Sequence, residues 1–290
     1  MKRLLLVICV LSMGTLARAQ SPDLGAAQSF VLLAGSAVTC TNSTVNGDVG
    51  VSPGTAVTQT SCIINGTIHA DDGVAVQANI DFFSAYAALA LTPCDHVLTT
   101  LDMDQTLSPG VYCFDAAATS TGHVMTLNGS STDTWIFKIG TLGTGALTGT
   151  SFSVVTPSGA PPPCNNVFWW VAQAATMTDS KFVGSILAGA AISLTRGTFS
   201  GDAFAKAAVT ITGTAVTACA IGNAARVCKD RDRNKCRCEC KDNDKDKEHA
   251  DKDKKHADKD KKHADDDDEC DDDDDHDGDN HHRKHGEHGR

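Results

Sequence analysis

A short repeat with a fixed period constrains this chain more than any other feature of its sequence. Met177, Leu194 and Ile211 recur at equal intervals, and each is followed directly by a threonine. Around these positions polar and apolar residues alternate, which is typical of a strand with one buried face. A unit this short buries its apolar column only by stacking on its neighbours. The repeat therefore predicts a β-solenoid. A β-sandwich is the alternative, but it gives no reason for a fixed period.

The same template recurs with looser spacing near the N-terminus. Val38–Val51 aligns with Ile192–Ala205, and the alignment places Asp48 opposite Asp202. The Asn-Gly step that begins at Asn46 occurs again at Asn65. We therefore expect these segments to form further coils of the same solenoid.

One segment breaks the repeat and predicts a helix. Asp71 or Asp72 can cap its start, and Pro93 lies beyond its end. Such a helix should lie along the solenoid and cover one apolar face. Its apolar residues recur at helical spacing, at Val76, Ile80, Phe83, Ala87 and Ala90.

The N-terminal segment, 1–19, has the pattern of a secretory signal. Lys2 and Arg3 precede the apolar stretch Leu4–Leu11, and small residues predict cleavage near Ala19. No later stretch reaches the roughly 18 apolar residues of a membrane-spanning helix. We therefore expect a secreted protein without a membrane span.

Charge is concentrated at the C-terminus. Residues 229–290 contain 17 Lys and Arg and 24 Asp and Glu, a net charge of −7 out of −11 for the whole chain. This composition predicts that residues 224–290 form a disordered tail, after a solenoid domain at 20–223. The tail has three interpretations: it solvates the protein, it attaches the protein to a charged surface, or it binds a divalent metal weakly. The candidate metal ligands are His249, His256, His263, Asp271 and His281.

Six cysteines lie in the predicted solenoid domain, and an exported protein can form disulfides. Six cysteines allow 15 pairings, which the sequence alone does not decide. We predict two of the pairs, Cys164 with Cys219 and Cys94 with Cys113.

The stretches GDVGVSPGTAV (residues 47–57) and NVFWWV (residues 166–171) are distinctive. Together with further matching segments, they cover nearly all of residues 25–217, and there the chain resembles the secreted ice-binding (antifreeze) proteins. The resemblance implies a right-handed, discontinuous parallel β-helix of roughly triangular section with one long helix alongside. It also implies that stacking does not follow chain order, so N-terminal and C-terminal coils can be neighbours.

The resemblance implies non-catalytic binding to an ice crystal surface through a flat threonine-rich face. The family motif is a Thr, a small residue, any residue, and then Thr or Asn. Threonine is also favoured on exposed strands without any ligand. If Asp179, Lys181 and Arg196 lay on the binding face, they would roughen it and weaken activity. The candidate ice-binding residues are Thr41, Thr44, Thr148, Thr178, Thr195, Thr198, Thr212 and Thr214.

Two other functions are compatible with parts of the sequence. A polysaccharide hydrolase could use paired carboxylates, such as Asp48 with Asp202 or Asp102 with Asp104, but Gly-Asp steps are more typical of turns. The second alternative is an extracellular structural or adhesive protein on the same scaffold, with metal bound by the tail. We predict a monomer that is not an enzyme, has no cofactor and no metal site in the solenoid, and binds no nucleic acid.

Overall fold

The structure is a computed structural model that describes residues 19–219. Within these residues it contains one α-helix, α1 (Gly73–Leu91), two short 3₁₀ helices and 21 β-strands. In chain order the strands are β1 (Phe30–Ala34), β2 (Ala37–Thr41), β3 (Thr44–Asn46), β4 (Asp48–Val51), β5 (Ala56–Thr60), β6 (Ile63–Asn65), β7 (Ile68–Ala70), β8 (His96–Val97), β9 (Gln105–Leu107), β10 (Gly110–Phe114), β11 (Ala118–Thr121), β12 (Val124–Leu127), β13 (Trp135–Ile139), β14 (Leu147–Thr150), β15 (Ser153–Val155), β16 (Val167–Val171), β17 (Ala175–Val183), β18 (Ser185–Ala188), β19 (Ile192–Ser200), β20 (Ala203–Ala205) and β21 (Val209–Thr217).

The strands form the three faces of a parallel β-solenoid. The first face is a nine-stranded sheet in the order β7-β4-β1-β20-β18-β16-β13-β10-β8. A twelve-stranded sheet bends around a corner and supplies the other two faces. The second face contains β5, β2, the N-terminal halves of β21, β19 and β17, and then β14 and β11. The third contains β6, β3, the C-terminal halves of the same long strands, and then β15, β12 and β9.

Stacking does not follow chain order. The N-terminal strand β1 lies between β4 and β20, and β2 lies between β5 and β21. Leu32 therefore pairs with Ala203, and Cys40 pairs with Ile211. The N-terminal coils thus sit directly on the C-terminal ones, which explains why two segments far apart in sequence share one template.

The solenoid interior is a continuous apolar column. Phe137 stacks on Trp169 with ring centroids 4.1 Å apart, and Phe182 stacks on Phe199 at 5.9 Å. The inward residues of all three faces are almost completely buried, except in the end coil that contains β5, β6 and β7. Each coil thus buries its apolar side chains against the coils above and below, as the repeat predicts.

Helix α1 lies where the sequence predicts it, but a different stripe faces the sheet. The Asp72 side chain caps the start by accepting from the amides of Val74 and Ala75. The predicted stripe is turned outward: Val76, Ile80 and Phe83 are 39%, 54% and 41% exposed. The helix is apolar on nearly every side, so spacing alone did not identify the packed stripe. That stripe consists of Ala75, Ala78, Asn79, Phe82, Ala85, Tyr86 and Leu89.

Packing of α1 makes the first face a buried layer. Phe82 lies against Phe204 and Tyr86 against Trp170, with ring centroids 5.8 and 5.1 Å apart. By length and composition alone the helix could cross a membrane. Its packed stripe instead covers the outer side of the nine-stranded sheet.

A buried lysine fixes the C-terminal end of α1. The Lys138 Nζ donates to the carbonyl oxygens of Ala90 and Thr92, at 2.9 and 2.6 Å. These carbonyls have no partner within the helix, and a cation at this end also favours the helix dipole. Burial lowers the pKa of Lys138.

Three disulfides form among the described residues. Cys94 pairs with Cys113 and Cys164 with Cys219, as predicted, and Cys40 pairs with Cys62. Residues 1–18 of the predicted signal lie outside the described residues. So does the whole predicted tail with its candidate metal ligands.

Candidate functional site

The second face carries one motif in every coil. Seven segments share the pattern Ala-x-Thr/Ser-x-Thr, in which the intervening residues point toward the core. Their outward side chains form three columns, one of alanine and two of hydroxyl-bearing residues. In stacking order the segments are residues 56–60, 37–41, 208–212, 191–195, 174–178, 146–150 and 117–121.

Strand register aligns the hydroxyl-bearing side chains without a gap. We call the two columns together the threonine array, which consists of 13 threonines and one serine. The first column is Thr58, Thr39, Thr210, Ser193, Thr176, Thr148 and Thr119, and the second is Thr60, Thr41, Thr212, Thr195, Thr178, Thr150 and Thr121.

Strand geometry gives the array regular spacings. Neighbouring coils lie about 4.8 Å apart, and outward residues along one strand lie about 6.7 Å apart. Six intervals between seven coils make the array about 29 Å long. β-Branching holds each threonine side chain in few rotamers, so the surface is regular and stiff.

A left-handed residue ends the second face in every coil. It directly follows the second-column threonine, where the positive φ turns the chain onto the third face. Behind this corner, hydroxyl groups point inward: Ser43 donates to the Thr41 carbonyl, and Thr214 donates to the Thr212 carbonyl. The corner residues are Ser61, Asn42, Gly213, Arg196, Asp179, Ser151 and Gly122, with φ between 48° and 75°.

The structure brings together five of the eight predicted threonines. Thr41, Thr178, Thr195 and Thr212 lie in the second column, and Thr148 lies in the first.

Three predicted threonines do not belong to the array. Thr44 and Thr198 lie on the third face, because the Thr-x-x-Thr pattern that selected them crosses the left-handed corner. Thr214 is only 3% exposed, and its hydroxyl serves the inner side of the corner, so it cannot contribute to a surface.

The remaining members of the array were missed. Eight threonines and Ser193 lie on the second face but were not among the candidates. The signal that could have found them is the Ala-x-Thr/Ser-x-Thr motif, which occurs seven times. The missed threonines are Thr39, Thr58, Thr60, Thr119, Thr121, Thr150, Thr176 and Thr210.

The charged residues that could have roughened the face lie beside it. Arg196 and Asp179 are corner residues that form a bidentate ion pair, with Nε–Oδ1 at 2.6 Å and Nη2–Oδ2 at 2.7 Å. The Arg196 hydrogen bond holds the pKa of Asp179 below its usual range. Lys181 lies on the third face next to Thr198. The three outward columns of the second face therefore contain only Ala, Thr and Ser.

The carboxylates considered for hydrolysis stabilise the solenoid corners. Asp48 Oδ1 accepts the amide of Thr67 in the next coil, and Asp102 Oδ1 accepts that of Thr121. Asp104 Oδ1 accepts the amide of Val124. These hydrogen bonds join neighbouring coils at the corners of the solenoid. This structural role agrees with the turns that Gly-Asp steps typically form.

Asp202 is the one buried carboxylate among residues 19–219. Its Oδ2 accepts from the Ser185 hydroxyl at 2.8 Å, and it also accepts the amide of Cys219. Burial raises its pKa to about 7. Across the described range, no three His, Cys, Asp or Glu side chains are grouped so that they could hold a metal ion.

Comparisons with known proteins agree on one family. A family model described as Ice-binding-like matches residues 32–217. An ice-binding protein of Nostoc sp. (strain HG1) is 39% identical over 201 residues, which are 67% of this chain and 72% of that protein. Ice-binding protein K3-B1 of Typhula ishikariensis is 30% identical over 220 residues, with coverages of 65% and 86%.

Solved structures show the same fold. The ice-binding protein of the Antarctic ascomycete Antarctomyces psychrotrophicus is 32% identical with a TM-score of 0.61, and the match covers 68% of this chain and 98% of that one. An ice-binding protein from an Antarctic biological consortium is 30% identical with a TM-score of 0.63, with coverages of 70% and 94%. None of these similarities supports the alternative of a structural protein that binds metal through its tail.

Proposed function

The chain belongs to the ice-binding family, and we propose that it adsorbs to ice without catalysis, through the threonine array of the second face. The observation that carries this proposal is the uninterrupted register of two hydroxyl-bearing columns across seven coils. A lattice of water can be matched only by side chains that repeat in two directions.

The array suits ice because it combines two groups on a rigid surface. Threonine hydroxyls hydrogen-bond to water in fixed positions, and the neighbouring methyls and alanines keep that water from joining the bulk network. The coil spacing of about 4.8 Å is close to a repeat of the ice lattice. Each contact is weak, so affinity depends on the many contacts that a flat surface makes simultaneously.

The other two faces support this assignment by contrast. Helix α1 covers the first face. One outward column of the third face contains Lys181, Val124 and Ile63, so its chemistry changes from coil to coil. The second face alone repeats one outward pattern.

We further propose that the protein works outside the cell. The three disulfides found within residues 19–219 suit an oxidising compartment. The signal pattern at residues 1–19 supports the same location. Adsorption there would slow the growth and recrystallisation of ice around the cell.

Partitioning into ice tests the proposed function directly. The purified chain beginning at Gln20 is placed in solution with a slowly growing ice hemisphere, and the protein content of ice and liquid is measured. We expect the chain to be enriched in the ice. Exclusion to the same extent as a globular protein without ice affinity would contradict the proposal.

A substitution at Ser193 tests the array by an expected increase in activity. Ser193 is the single position of the array without a methyl group. The substitution Ser193→Thr should increase inhibition of ice recrystallisation about two- to fourfold, the upper value following from about 0.8 kcal/mol per buried methyl. Ser200→Thr, on the third-face half of the same strand, is the matched control and should change nothing. An equal gain in both variants would argue against the array.

A further inference from the structure

The two ends of the solenoid differ. At one end the side chain of Leu101 is fully buried, and Asp102 and Asp104 accept amides of the coil beneath. At the other end, β5, β6 and β7 form the last coil, and each pairs with a strand on one side only. Within residues 19–219, the edge of the second face is therefore covered at one end, which we call the closed end, and unpaired at the other, which we call the open end.

The open end lacks the usual protection of an exposed strand edge. Edge strands are normally blunted by charged residues, proline or a covering segment. Ala56–Ala70 contains no Lys, Arg, Asp, Glu or Pro, although residues 19–219 contain 4 Lys and Arg and 12 Asp, a net charge of 4 − 12 = −8. The three edge strands therefore contain no Lys, Arg, Asp or Glu, and the nearest carboxylates in sequence are those of Asp71 and Asp72, the second of which lies 2.7 Å from the His69 ring.

Apolar side chains are also left uncovered at this end. Val57 and Ile64 continue the core column but are only partly buried, and Ile63 on the edge strand β6 is 60% exposed. The disulfide between Cys40 and Cys62 fixes this coil to the next one. The edge is therefore held in place and would lose little conformational entropy on pairing.

We propose that two copies of the chain stack open end to open end about a two-fold axis. With the axis at Thr58, β5 pairs antiparallel with its own copy, and β6 of each copy meets β7 of the other. A single extended peptide could pair with one of the three edges, whereas a second copy presents a complete ring of edges. At the closed end β8 and β9 also pair on one side only, but the irregular segment 98–104 lies between them in place of a second-face strand, so their edges do not form a complete ring. The contact therefore forms a closed dimer rather than a filament.

The dimer would place both threonine arrays in one plane. In the antiparallel pair around Thr58, outward residues of β5 lie opposite outward residues of its copy. The array would then extend over 14 coils. This proposal replaces the monomer expected from the sequence, and it does not depend on ice binding, because mass in solution tests it.

Sedimentation velocity of the chain beginning at Gln20 tests the dimer. An interface of about 15 residues a side is below standard size, so we expect micromolar affinity and mostly dimer at about 100 µM. Ile63→Lys should give a monomer, because it places one charge at each of the two junctions between β6 and β7 of the other copy. The matched control is Val124→Lys, in the same outward column near the closed end, and it should remain dimeric.

Three results would overturn the proposal. They are a monomer at about 100 µM for the unmodified chain, a dimer that Ile63→Lys does not affect, and a dimer that both lysine variants disrupt. Thermal melting establishes that each variant is folded. If Ile63→Lys does not fold, Gln59→Lys on β5, whose side chain is exposed, takes its place.

Discussion

Replacement of Thr195 by tyrosine is expected to remove most of the ice-binding activity. Thr195 lies in the second column of the array, in the fourth of seven coils. A tyrosine ring there would hold the ice surface away from the threonines around it. A gap of about 1 Å reduces the dispersion energy of each contact by up to half. We therefore expect that about tenfold more protein is needed to inhibit recrystallisation to the same extent.

Thr198→Tyr is the matched control for this experiment. Thr198 belongs to the same strand but lies beyond the left-handed corner residue Arg196, exposed on the third face. The two variants differ by three positions and add the same ring. We expect Thr198→Tyr to retain full activity. Equal loss in both variants, or loss only in Thr198→Tyr, would place the ice-binding surface elsewhere.

The second large effect concerns Asp202 and pH. Burial raises the pKa of this carboxyl from its ordinary value of 3.8 to about 7, so the folded chain binds its proton more tightly than the unfolded chain. Below about pH 4 both states are protonated, and Asp202 contributes no pH dependence. Between about pH 4 and about pH 7 the unfolded state ionises first, and the free energy of unfolding falls as pH rises. Each unit of difference between the folded and unfolded pKa corresponds to about 1.4 kcal/mol. The free energy of unfolding is therefore lower by about 4 kcal/mol above pH 7.

Asp202→Asn should remove this dependence. The amide can still accept the Cys219 amide proton and bond to Ser185, but it carries no charge at any pH. The variant should therefore be more stable than the native chain at pH 8 and similar to it at pH 4. Urea unfolding followed by the buried tryptophans measures the difference at both pH values. A difference that is the same at both would contradict the assignment.

Ser185→Ala tests the same carboxyl from the opposite direction. The Ser185 hydroxyl donates to Asp202 and favours its ionised form. Without that hydrogen bond, stability should fall more steeply between pH 4 and pH 8 than in the native chain. A shallower slope would mean that burial of Asp202 is not the cause.

Much of the fold could be predicted because its signals are local. The spacing of Met177, Leu194 and Ile211 fixes one coil, and alternation within each coil identifies the inward side chains. The Asp72 cap and Pro93 fix the limits of the helix. The spacing selected the outward stripe of that helix instead of the packed one, because alanines make two of its faces similarly apolar. Only contact with the sheet distinguishes the two faces.

The site was only partly predictable, for a related reason. Alignment of the repeats within this sequence identified Thr178, Thr195 and Thr212, which lie in consecutive coils. It did not separate them from Thr198 or Thr214, because the change of face depends on a left-handed residue that can be Arg196 as readily as Gly213. A non-glycine residue with positive φ has no dependable sequence signature.

The sequence by itself determined the unit of this protein: a short coil with apolar residues inward and alternating threonines outward. These properties depend only on neighbours within a single repeat of the chain. Only the tertiary structure decided that β2 stacks on β21, and that seven separate segments therefore form one continuous array. The physical reason is that the alignment of outward side chains into a column depends on the register between neighbouring coils. Coils from opposite ends of the domain become neighbours only when the core is packed.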